Sequence, residues 1–377
     1  MKVAIITHNF PHPRFPQSGA FVKKLTDGMI DAGADITVYS LISKSNFTFW
    51  QRKEESEVAL NKKLKIRHLD YFSFSNINFL GCSSAEIGHN LALRKLIKQV
   101  EVDIMTEGTK PDILYGKFLM SGGRKAVELS KLYSVPAVAD LGESSLLVRL
   151  SAAEIGKARE IVNGLSGVVC VSPRLASEAV SLGMSPDRVL MLPNGIDREK
   201  FYWIERAEAR RALELPLDKK IILFVGHFIH RKGPNRVLKA IEQLPSDYCG
   251  IFIGEGPIKL ESSRILYQGR VANHILNIWI NACDVFCLPT LGEGSCNALE
   301  EARSVGLPIV TSMIDDITDF DSSKEYTLVD PLDIADIAKG ILNAANSSRI
   351  KYRYPPISND YRTKKILDWL SNAIKCV

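Results

Sequence analysis

The segment from Asp284 to Thr311 restricts the fold of this chain more than any other segment. It begins with a short apolar run that ends at Pro289, and it continues through a loop that contains Gly292 and Gly294. The polar and apolar residues that follow have the pattern of a helix start. A strand, a glycine loop and a helix in this order form the repeating unit of α/β proteins with parallel sheets. The segment therefore predicts an α/β fold.

Three glutamates follow the predicted strand and differ in their expected roles. Asn297 is placed to cap the helix, and Glu300 stands three residues later, where a capping-box carboxylate reaches back to the cap. Glu293 in the loop and Glu301 in the first helical turn then face a place where backbone N–H groups converge. Such amides attract anions, and carboxylates accept hydrogen bonds from hydroxyls, so the arrangement suits a ligand that carries both phosphate and sugar. A nucleotide sugar is such a ligand.

The same segment resembles the E-x7-E signature of the retaining glycosyltransferases of family 4, which have the GT-B fold. Glu293 and Glu301 have the required spacing, Glu301 is followed by Ala302 as in the signature, and Gly306–Pro308 matches the Gly-x-Pro that follows it. On spacing alone, a solvated helix start after a strand is the simpler interpretation. Further matches along the chain favour the resemblance.

The stretch Val189–Asp197, VLMLPNGID, resembles the family's P-N-G-[IV]-D motif, which marks the linker between its two domains. The resemblance implies two Rossmann-like doubly wound domains that face a cleft. It implies an acceptor-side domain over residues 1–192 and a nucleotide-sugar-binding domain over residues 193–358. The last helix, in residues 359–377, is expected to return and pack on the first domain.

A basic loop opens the second of these domains. Gly226–Gly233 follows an apolar strand and precedes a helix, and this arrangement forms a phosphate cradle. The family pattern is G-R-x-x-x-x-K-G, so the resemblance assigns Lys232 to the donor diphosphate. His227 stands in place of the family's arginine, and Arg231 is the nearest residue that could supply the missing charge. A basic loop of this kind more often only faces water, but the motif favours ligand contact.

The resemblance assigns contacts with the donor to a further group of residues, several of them through the backbone. Neither glycine run of the second domain reads G-x-G-x-x-G with an acidic partner downstream, which argues against a dinucleotide dehydrogenase. Gly19 has an alternative interpretation as a glycine that merely permits a turn. The expected donor-binding residues are Gly19, Gly226, His227, Gly254, Val271, Gly294, Ser295, Cys296, Asn297 and Glu301.

One departure from the family lies after the strand Val135–Leu141. Family members often have a histidine there, near the reacting sugar, whereas this chain has Glu143 as the nearest titratable substitute. We therefore expect Glu143 to join Lys232, Arg231 and Glu293 as a catalytic residue. The alternative is that Glu143 caps the amides before Leu146. The missing histidine also keeps two other functions open: a catalytically silent GT-B protein that binds nucleotide sugars, and a sugar-nucleotide epimerase.

Composition and charge limit the partners. The chain has 377 residues, of which 46% are hydrophobic, so it has room for two domains with their own cores. Residues 1–192 hold 24 Lys and Arg against 19 Asp and Glu, while residues 193–377 hold 24 of each kind. This mild excess favours an acidic substrate or surface for the first half and is too small for nucleic-acid binding. We expect a UDP- or GDP-sugar donor, a saccharide or lipid-linked acceptor, and weak peripheral membrane association.

The sequence also predicts where the protein acts and which groups it does not need. No segment has the length of a signal peptide or a membrane span, which predicts a cytoplasmic protein at most associated with the inner membrane face. Cys283, Cys287 and Cys296 are expected to be buried apolar residues rather than metal ligands. The acidic stretch Asp315–Asp321 does not form an Asp-x-Asp motif at a strand end, so we expect no metal cofactor. The aromatic residues between Phe47 and Phe79 are expected to fill a core rather than to meet a membrane.

Overall fold

The computed structural model describes residues 1–13, 18–44, 63–72, 78–79, 82–148, 150–314, 325–347, 349–350, 352 and 356–375. Two units, each built on its own parallel sheet, make up the chain. Unit 1 comprises residues 1–171, 175–192 and 359–377, and unit 2 comprises residues 172–174 and 193–358. The main division between Leu192 and Pro193 falls at the start of the PNGID stretch.

Unit 1 contains a seven-stranded sheet in which all strands are parallel. In chain order its strands are β1 (Lys2–Thr7), β2 (Asp35–Lys44), β3 (Leu64–Phe72), β6 (Ile113–Lys117), β7 (Ala137–Leu141), β8 (Gly167–Cys170) and β9 (Val189–Met191). A separate antiparallel pair is formed by β4 (Asn78–Phe79) and β5 (Cys82–Ser83). The spatial order is β3-β2-β1-β6-β7-β8-β9. The central strands β1, β6 and β7 are almost wholly buried, as expected when both faces of a parallel sheet are covered.

The helices that flank this sheet follow its strands along the chain. They are α1 (Ala20–Asp31), α2 (Ser84–Glu107), α3 (Arg124–Tyr133), α4 (Ala152–Asn163) and α5 (Pro173–Ser181), with a short π-helical turn at Phe118–Gly123. The last helix, Asn359–Lys375, belongs to unit 1 and packs on α1. A Cβ added at Gly28 of α1 would lie 2.7 Å from Thr363 Oγ1, so the two helices approach closely at this glycine.

Unit 2 contains a six-stranded parallel sheet. Its strands are β10 (Lys220–Val225), β11 (Tyr248–Ile253), β12 (Ile265–Gly269), β13 (Val285–Leu288), β14 (Ile309–Ser312) and β15 (Thr327–Val329), in the spatial order β12-β11-β10-β13-β14-β15. Its helices are α6 (Arg206–Ala212), α7 (Pro234–Glu242), α8 (Leu276–Asn281), α9 (Asn297–Ser304) and α10 (Ile334–Ala345), which makes the helix Asn359–Lys375 α11. Each sheet thus supports its own hydrophobic core.

The strand order reverses once in each sheet. In unit 2 the chain moves outward from β10 to β12 and then returns to place β13 on the other side of β10. In unit 1 the corresponding reversal lies between β1 and β6. Open α/β sheets bind ligands beyond the carboxyl ends of the strands at such a switch point. Ligand sites are therefore expected at the loops after β10 and β13 and at the loops after β1 and β6.

Two expectations about unit 1 need correction. The predicted strand Lys110–Leu119 ends at Lys117, because Phe118 has a positive φ of 63° and begins the π-helical turn. Phe72 was expected in a core, but it lies at the end of β3 and is 45% exposed. Most of the aromatic residues between Phe47 and Phe79, and the acidic stretch Asp315–Asp321, lie outside the described residues.

Candidate functional site

The loop Gly226–Gly233 after β10 is held in place by a buried arginine of α7. Arg236 donates from Nη1 to the carbonyl oxygen of His230 at 2.9 Å and from Nη2 to that of Pro289 at 2.7 Å. Its planar guanidinium therefore ties the loop after β10 to the loop after β13, using several donors of one rigid group. Gly233 has a φ of 75°, and a Cβ at this position would overlap the guanidinium of Arg236. Only glycine fits here.

Lys232 and Glu293 meet at the switch point of unit 2. The Lys232 ammonium donates to Glu293 Oε1 at 2.6 Å and to Oε2 at 2.7 Å, and Arg231 Nη1 lies 3.4 Å from Oε1. Thr290 Oγ1 donates to the same Oε1 at 2.7 Å. The side chains of Lys232 and Glu293 are only 14% and 7% exposed, so their attraction is weakly screened by water and salt. The structure thus brings together three residues that the sequence assigned to one site.

Helix α9 begins beside this pair, but the predicted capping box is absent. The N-cap is Cys296, whose carbonyl oxygen accepts from the N–H groups of Leu299 and Glu300 at 3.1 Å, and no side chain caps the helix. Asn297 is the first helical residue, and its Oδ1 accepts from Asn194 Nδ2 at 3.0 Å.

Glu300 has a structural role, but it pairs with Arg303 instead of forming the predicted capping box. Its carboxylate accepts two hydrogen bonds from Arg303 Nη1, at 2.7 and 2.8 Å, instead of reaching back to Asn297. Glu301 is the fifth residue of α9 and lies in its second turn, not in the first. The N–H groups at the start of α9 therefore have no side-chain cap among the described residues.

Three glycines at the ends of neighbouring strands form a backbone surface. Gly226, Gly254 and Gly269 end or follow β10, β11 and β12, and Gly254 N donates to Gly269 O at 2.8 Å. A Cβ on Gly254 would overlap the carbonyl oxygen of Gly226, so this close approach requires glycine. Val271 follows β12 and packs partly on the core of unit 2, while His227 is exposed. Gly294 is buried, and Ser295 is half-buried in the loop before α9.

Glu143 lies after β7 of unit 1 with one oxygen bonded and one unpaired. Its Oε1 accepts from the N–H of Leu119 at 2.5 Å, at the start of the π-helical turn. Its Oε2 is buried and has no hydrogen-bond partner in the described structure. Burial raises the pKa of Glu143 to about 7, although Leu119 and the nearby Lys117 favour the charged form. A carboxyl group with this pKa can hold or release a proton near neutral pH.

The amides from Leu146 to Val148 have partners other than Glu143, and the capping alternative stays a prediction for the amides before Leu146. The N–H of Leu146 donates to a carboxylate oxygen of Glu178 at 2.5 Å, and Ser145 Oγ accepts from the two N–H groups that follow, each at 3.0 Å. These partners satisfy the N–H groups of Leu146, Leu147 and Val148, so Glu143 does not cap them. The next helix begins only at Ala152, after Ser151 forms a capping box with Glu154.

A buried ion pair at the ends of β6 and β7 lies near Glu143. Lys117 Nζ is 2.7 Å from Asp140 Oδ2, and Tyr115 donates to the same oxygen at 2.7 Å. Burial alone would raise the pKa of Asp140, but Lys117 and Arg362 of α11 hold it below its ordinary value. Burial lowers the pKa of Lys117. The pair therefore fixes the end of β7, and Asp140 acts as the counter-ion of Lys117.

Gly19 stands at the start of α1 and has a structural reason for its identity. Its φ is 65°, and a Cβ there would overlap the carbonyl oxygen of Asn9. Its own carbonyl oxygen accepts from the N–H of Val22 at 2.8 Å. The turn alternative accounts for this glycine, and contact with a diphosphate stays a prediction.

A buried polar cluster after β1 had no counterpart among the sequence predictions. Lys125 Nζ lies 3.4 Å from His8 Nε2 and 3.3 Å from His89 Nδ1, and His89 Nε2 lies 2.9 Å from a carboxylate oxygen of Glu128. Tyr71 Oη is 3.3 Å from His8 Nδ1. Burial lowers the pKa of His8 to about 3 and that of Lys125 to about 8. The only sequence signal was the position of His8 directly after a predicted strand.

The predicted burial of the cysteines is confirmed at two positions. Cys283 and Cys287 are buried, and burial raises the pKa of the half-buried Cys296 to about 12. Within the described ranges, no group of three or more His, Cys, Asp or Glu residues could hold a metal ion. No helix in the described part of the chain combines the length and the apolar character needed to cross a bilayer.

Comparisons with known proteins bear on both units. Residues 219–347, which include the loop after β10 and helix α9, match the family described as Glycosyl transferases group 1. A protein of Bacillus subtilis (strain 168) named as a teichuronic acid biosynthesis glycosyltransferase, TuaC, is 25% identical over 354 residues, covering 90% of this chain and 88% of its own.

Two solved structures match over nearly the whole chain. Sucrose-phosphate synthase from Thermosynechococcus elongatus is 16% identical with a TM-score of 0.68, covering 100% of this chain and 97% of the other. Anabaena HepE in complex with UDP is 14% identical with a TM-score of 0.69, covering 99% and 100%. The fold is GT-B. This confirms the α/β prediction of two Rossmann-like domains, and the family match together with TuaC supports a glycosyltransferase.

Proposed function

We propose that this chain transfers a sugar from a nucleotide-sugar donor to an acceptor hydroxyl with retention of the anomeric configuration, in polysaccharide or glycoconjugate biosynthesis. The observation that carries the proposal is the meeting of Lys232, Arg231 and Glu293 at the switch point of unit 2. This set combines cations for a diphosphate with a carboxylate for sugar hydroxyls. The family match over residues 219–347 and the similarity to TuaC support the same function.

The charges of this site define its role in the reaction. Departure of the nucleoside diphosphate builds negative charge on its phosphate oxygens, and Lys232 and Arg231 would offset that charge. Preorganised charges in a site that largely excludes water stabilise such developing charge, and this effect is usually the largest single contribution to catalysis. The backbone N–H groups of Ser295, Cys296 and Asn297 would bind the same phosphates next to the start of α9, where the helix dipole adds positive charge.

The other residues of the proposed site are assigned to parts of the donor by their positions in the fold. Glu293 would accept hydrogen bonds from the sugar, and Glu301 from the ribose. The backbone surface at Gly226, Gly254 and Gly269 would accept the nucleotide base, because a surface without side chains lets a flat ring approach the main chain. Val271, just after this surface, would contact the base through its backbone. In unit 1, Glu143 is proposed to act on the reacting sugar in place of the histidine of the resembled family.

We propose a chemical class for the donor and another for the acceptor. HepE is known in complex with UDP and with UDP-glucose, and starch synthase IV from Arabidopsis thaliana is known with ADP. These complexes support a nucleoside diphosphate sugar as the donor, and we propose UDP or GDP as its nucleotide. The acceptor would be a saccharide or a lipid-linked saccharide. For a lipid-linked acceptor, we expect weak, salt-dependent binding to anionic vesicles, worth up to about 1 kcal/mol for each surface cation. Absence of such binding at low salt would argue for a water-soluble acceptor.

A thermal-shift screen against UDP-, GDP- and ADP-sugars tests the donor. A ligand at about 100 times its Kd adds roughly 2.7 kcal/mol to the free energy of unfolding, which a melting curve resolves. Donor turnover then separates the alternatives. A transferase releases sugar slowly to water and shows a retained anomer by NMR, a silent binding protein releases none, and an epimerase produces a new sugar nucleotide. A product with inverted anomeric configuration would refute retention but would leave the proposal of sugar transfer intact.

A further inference from the structure

The cation expected to bind the donor diphosphate already has an anionic partner within unit 2. Both carboxylate oxygens of Glu293 accept from Lys232 Nζ, at 2.6 and 2.7 Å, and Arg231 lies 3.4 Å from one of them. Charge-assisted hydrogen bonds of this length between largely buried groups are strong. Any phosphate oxygen that approaches Lys232 must therefore compete with Glu293.

Glu293 is held rigidly in this position. Thr290 is fully buried, and its hydroxyl donates to Glu293 Oε1 at 2.7 Å. The carbonyl oxygen of Thr290 in turn accepts from Ser312 Oγ at 2.5 Å, at the end of β14. The carboxylate is thus anchored to two strand ends. It cannot move far from Lys232 without breaking hydrogen bonds that are shielded from water.

Two ligands would affect this carboxylate differently. A bare nucleoside diphosphate that takes Lys232 brings negative charge close to Glu293 and offers it no donor. A buried carboxylate that loses its cation and gains a neighbouring anion is destabilised. A nucleotide sugar brings the same phosphates, but its sugar also brings hydroxyl groups that can donate to the carboxylate.

Resting on the proposed function, we propose that Glu293 makes the site discriminate between the nucleotide-sugar donor and the nucleoside diphosphate product. The donor satisfies both Lys232 and Glu293, whereas the product satisfies Lys232 alone. After sugar transfer, Lys232 returns to Glu293 and the diphosphate is released. Glu293 is then a specificity-determining residue as well as a sugar ligand, and Thr290 is the positioning residue that holds it.

The test compares the affinities of UDP and UDP-glucose, and in parallel of GDP and GDP-mannose, for the wild type and for Glu293→Gln by titration calorimetry. The amide is isosteric and can still accept from Thr290, but it carries no charge. We expect Glu293→Gln to bind the bare diphosphate about tenfold more tightly and the sugar-bearing donor no more tightly, since a charge-assisted pair is replaced by a neutral one. The Kd of the bare diphosphate divided by the Kd of the nucleotide sugar should therefore fall by about tenfold in Glu293→Gln.

Two further variants make the result specific. Thr290→Val removes the hydroxyl that holds Glu293 and should shift the ratio in the same direction by a smaller factor. Glu300→Gln removes a carboxylate of α9 that pairs with Arg303, and it should leave the ratio unchanged. Melting curves show that each variant is folded before it is titrated.

The outcomes separate the proposal from the function on which it rests. If Glu293→Gln and Thr290→Val bind UDP as tightly as the wild type does, and the same holds for GDP, the proposed discrimination is overturned. The proposed transferase function is not affected by that result. A tenfold loss of diphosphate affinity in Glu293→Gln would overturn the discrimination as well. A wild-type protein that binds neither diphosphate nor donor would overturn the proposed function together with the discrimination.

Discussion

Replacing Glu143 by glutamine should stabilise the protein above neutral pH and slow the reaction. The side chain is anchored by Oε1, which accepts from the N–H of Leu119, while the buried Oε2 has no partner in the described structure. A glutamine can keep the first contact and places a neutral group where the unpaired oxygen lies. The variant therefore removes the negative charge with little change in shape.

The size of the effect follows from the pKa of Glu143, which burial raises from 4.5 to about 7. Each pKa unit corresponds to about 1.36 kcal/mol, so the full difference is about 3 kcal/mol. Because the folded protein holds the proton more tightly than the unfolded chain, the penalty is absent below pH 4.5. It grows as the pH rises toward 7 and is complete above that value. Glutamine has no such dependence.

Urea unfolding at a series of pH values measures this difference. The unfolding free energies of the wild type and Glu143→Gln should be similar in acid and should diverge by about 3 kcal/mol in favour of the variant above pH 7. If Glu143 acts on the reacting sugar, turnover falls while donor affinity stays near that of the wild type. A stability difference that does not change with pH would refute the burial argument. Unchanged turnover would remove Glu143 from the catalytic residues.

Much of the fold was predictable because local sequence and tertiary structure agree. The strand Lys220–Val225 is an apolar run that ends at a glycine, and the structure has the same bounds. The end of β6 was not predictable, because the apolar pattern continues through Phe118 and Leu119. The turn there depends on the close packing of Gly122 against the carbonyl oxygen of Ile6, more than a hundred residues away. Such a contact leaves no periodic signal in the sequence.

The candidate site was also predictable only where its residues belong to local sequence motifs. Two separate family motifs identified Lys232 and Glu293, because a motif records which side chains a ligand requires. The capping box failed because the side chain of Asn297 bonds to Asn194, which lies far away in the sequence. The cluster around Lys125 was missed for a similar reason. Its members come from β1, β3, α2 and α3 or from the loops after them, and no local pattern connects them.

Three further predictions concern the donor site. Lys232→Ala should lower turnover by about 100-fold, with incomplete rescue by arginine, and wild-type rates would contradict the phosphate role. Glu301→Gln should weaken donor binding, whereas Glu300→Gln should lower only stability through loss of its Arg303 pair, so equal loss of affinity in both would contradict the ribose role. Finally, EDTA should leave activity unchanged. In the proposed mechanism, Lys232 and the adjacent Arg231, which both lie close to Glu293, would supply the positive charge at the leaving diphosphate that Mg²⁺ would otherwise supply. Activity that disappears in EDTA and returns with Mg²⁺ or Mn²⁺ would show that these two side chains do not suffice.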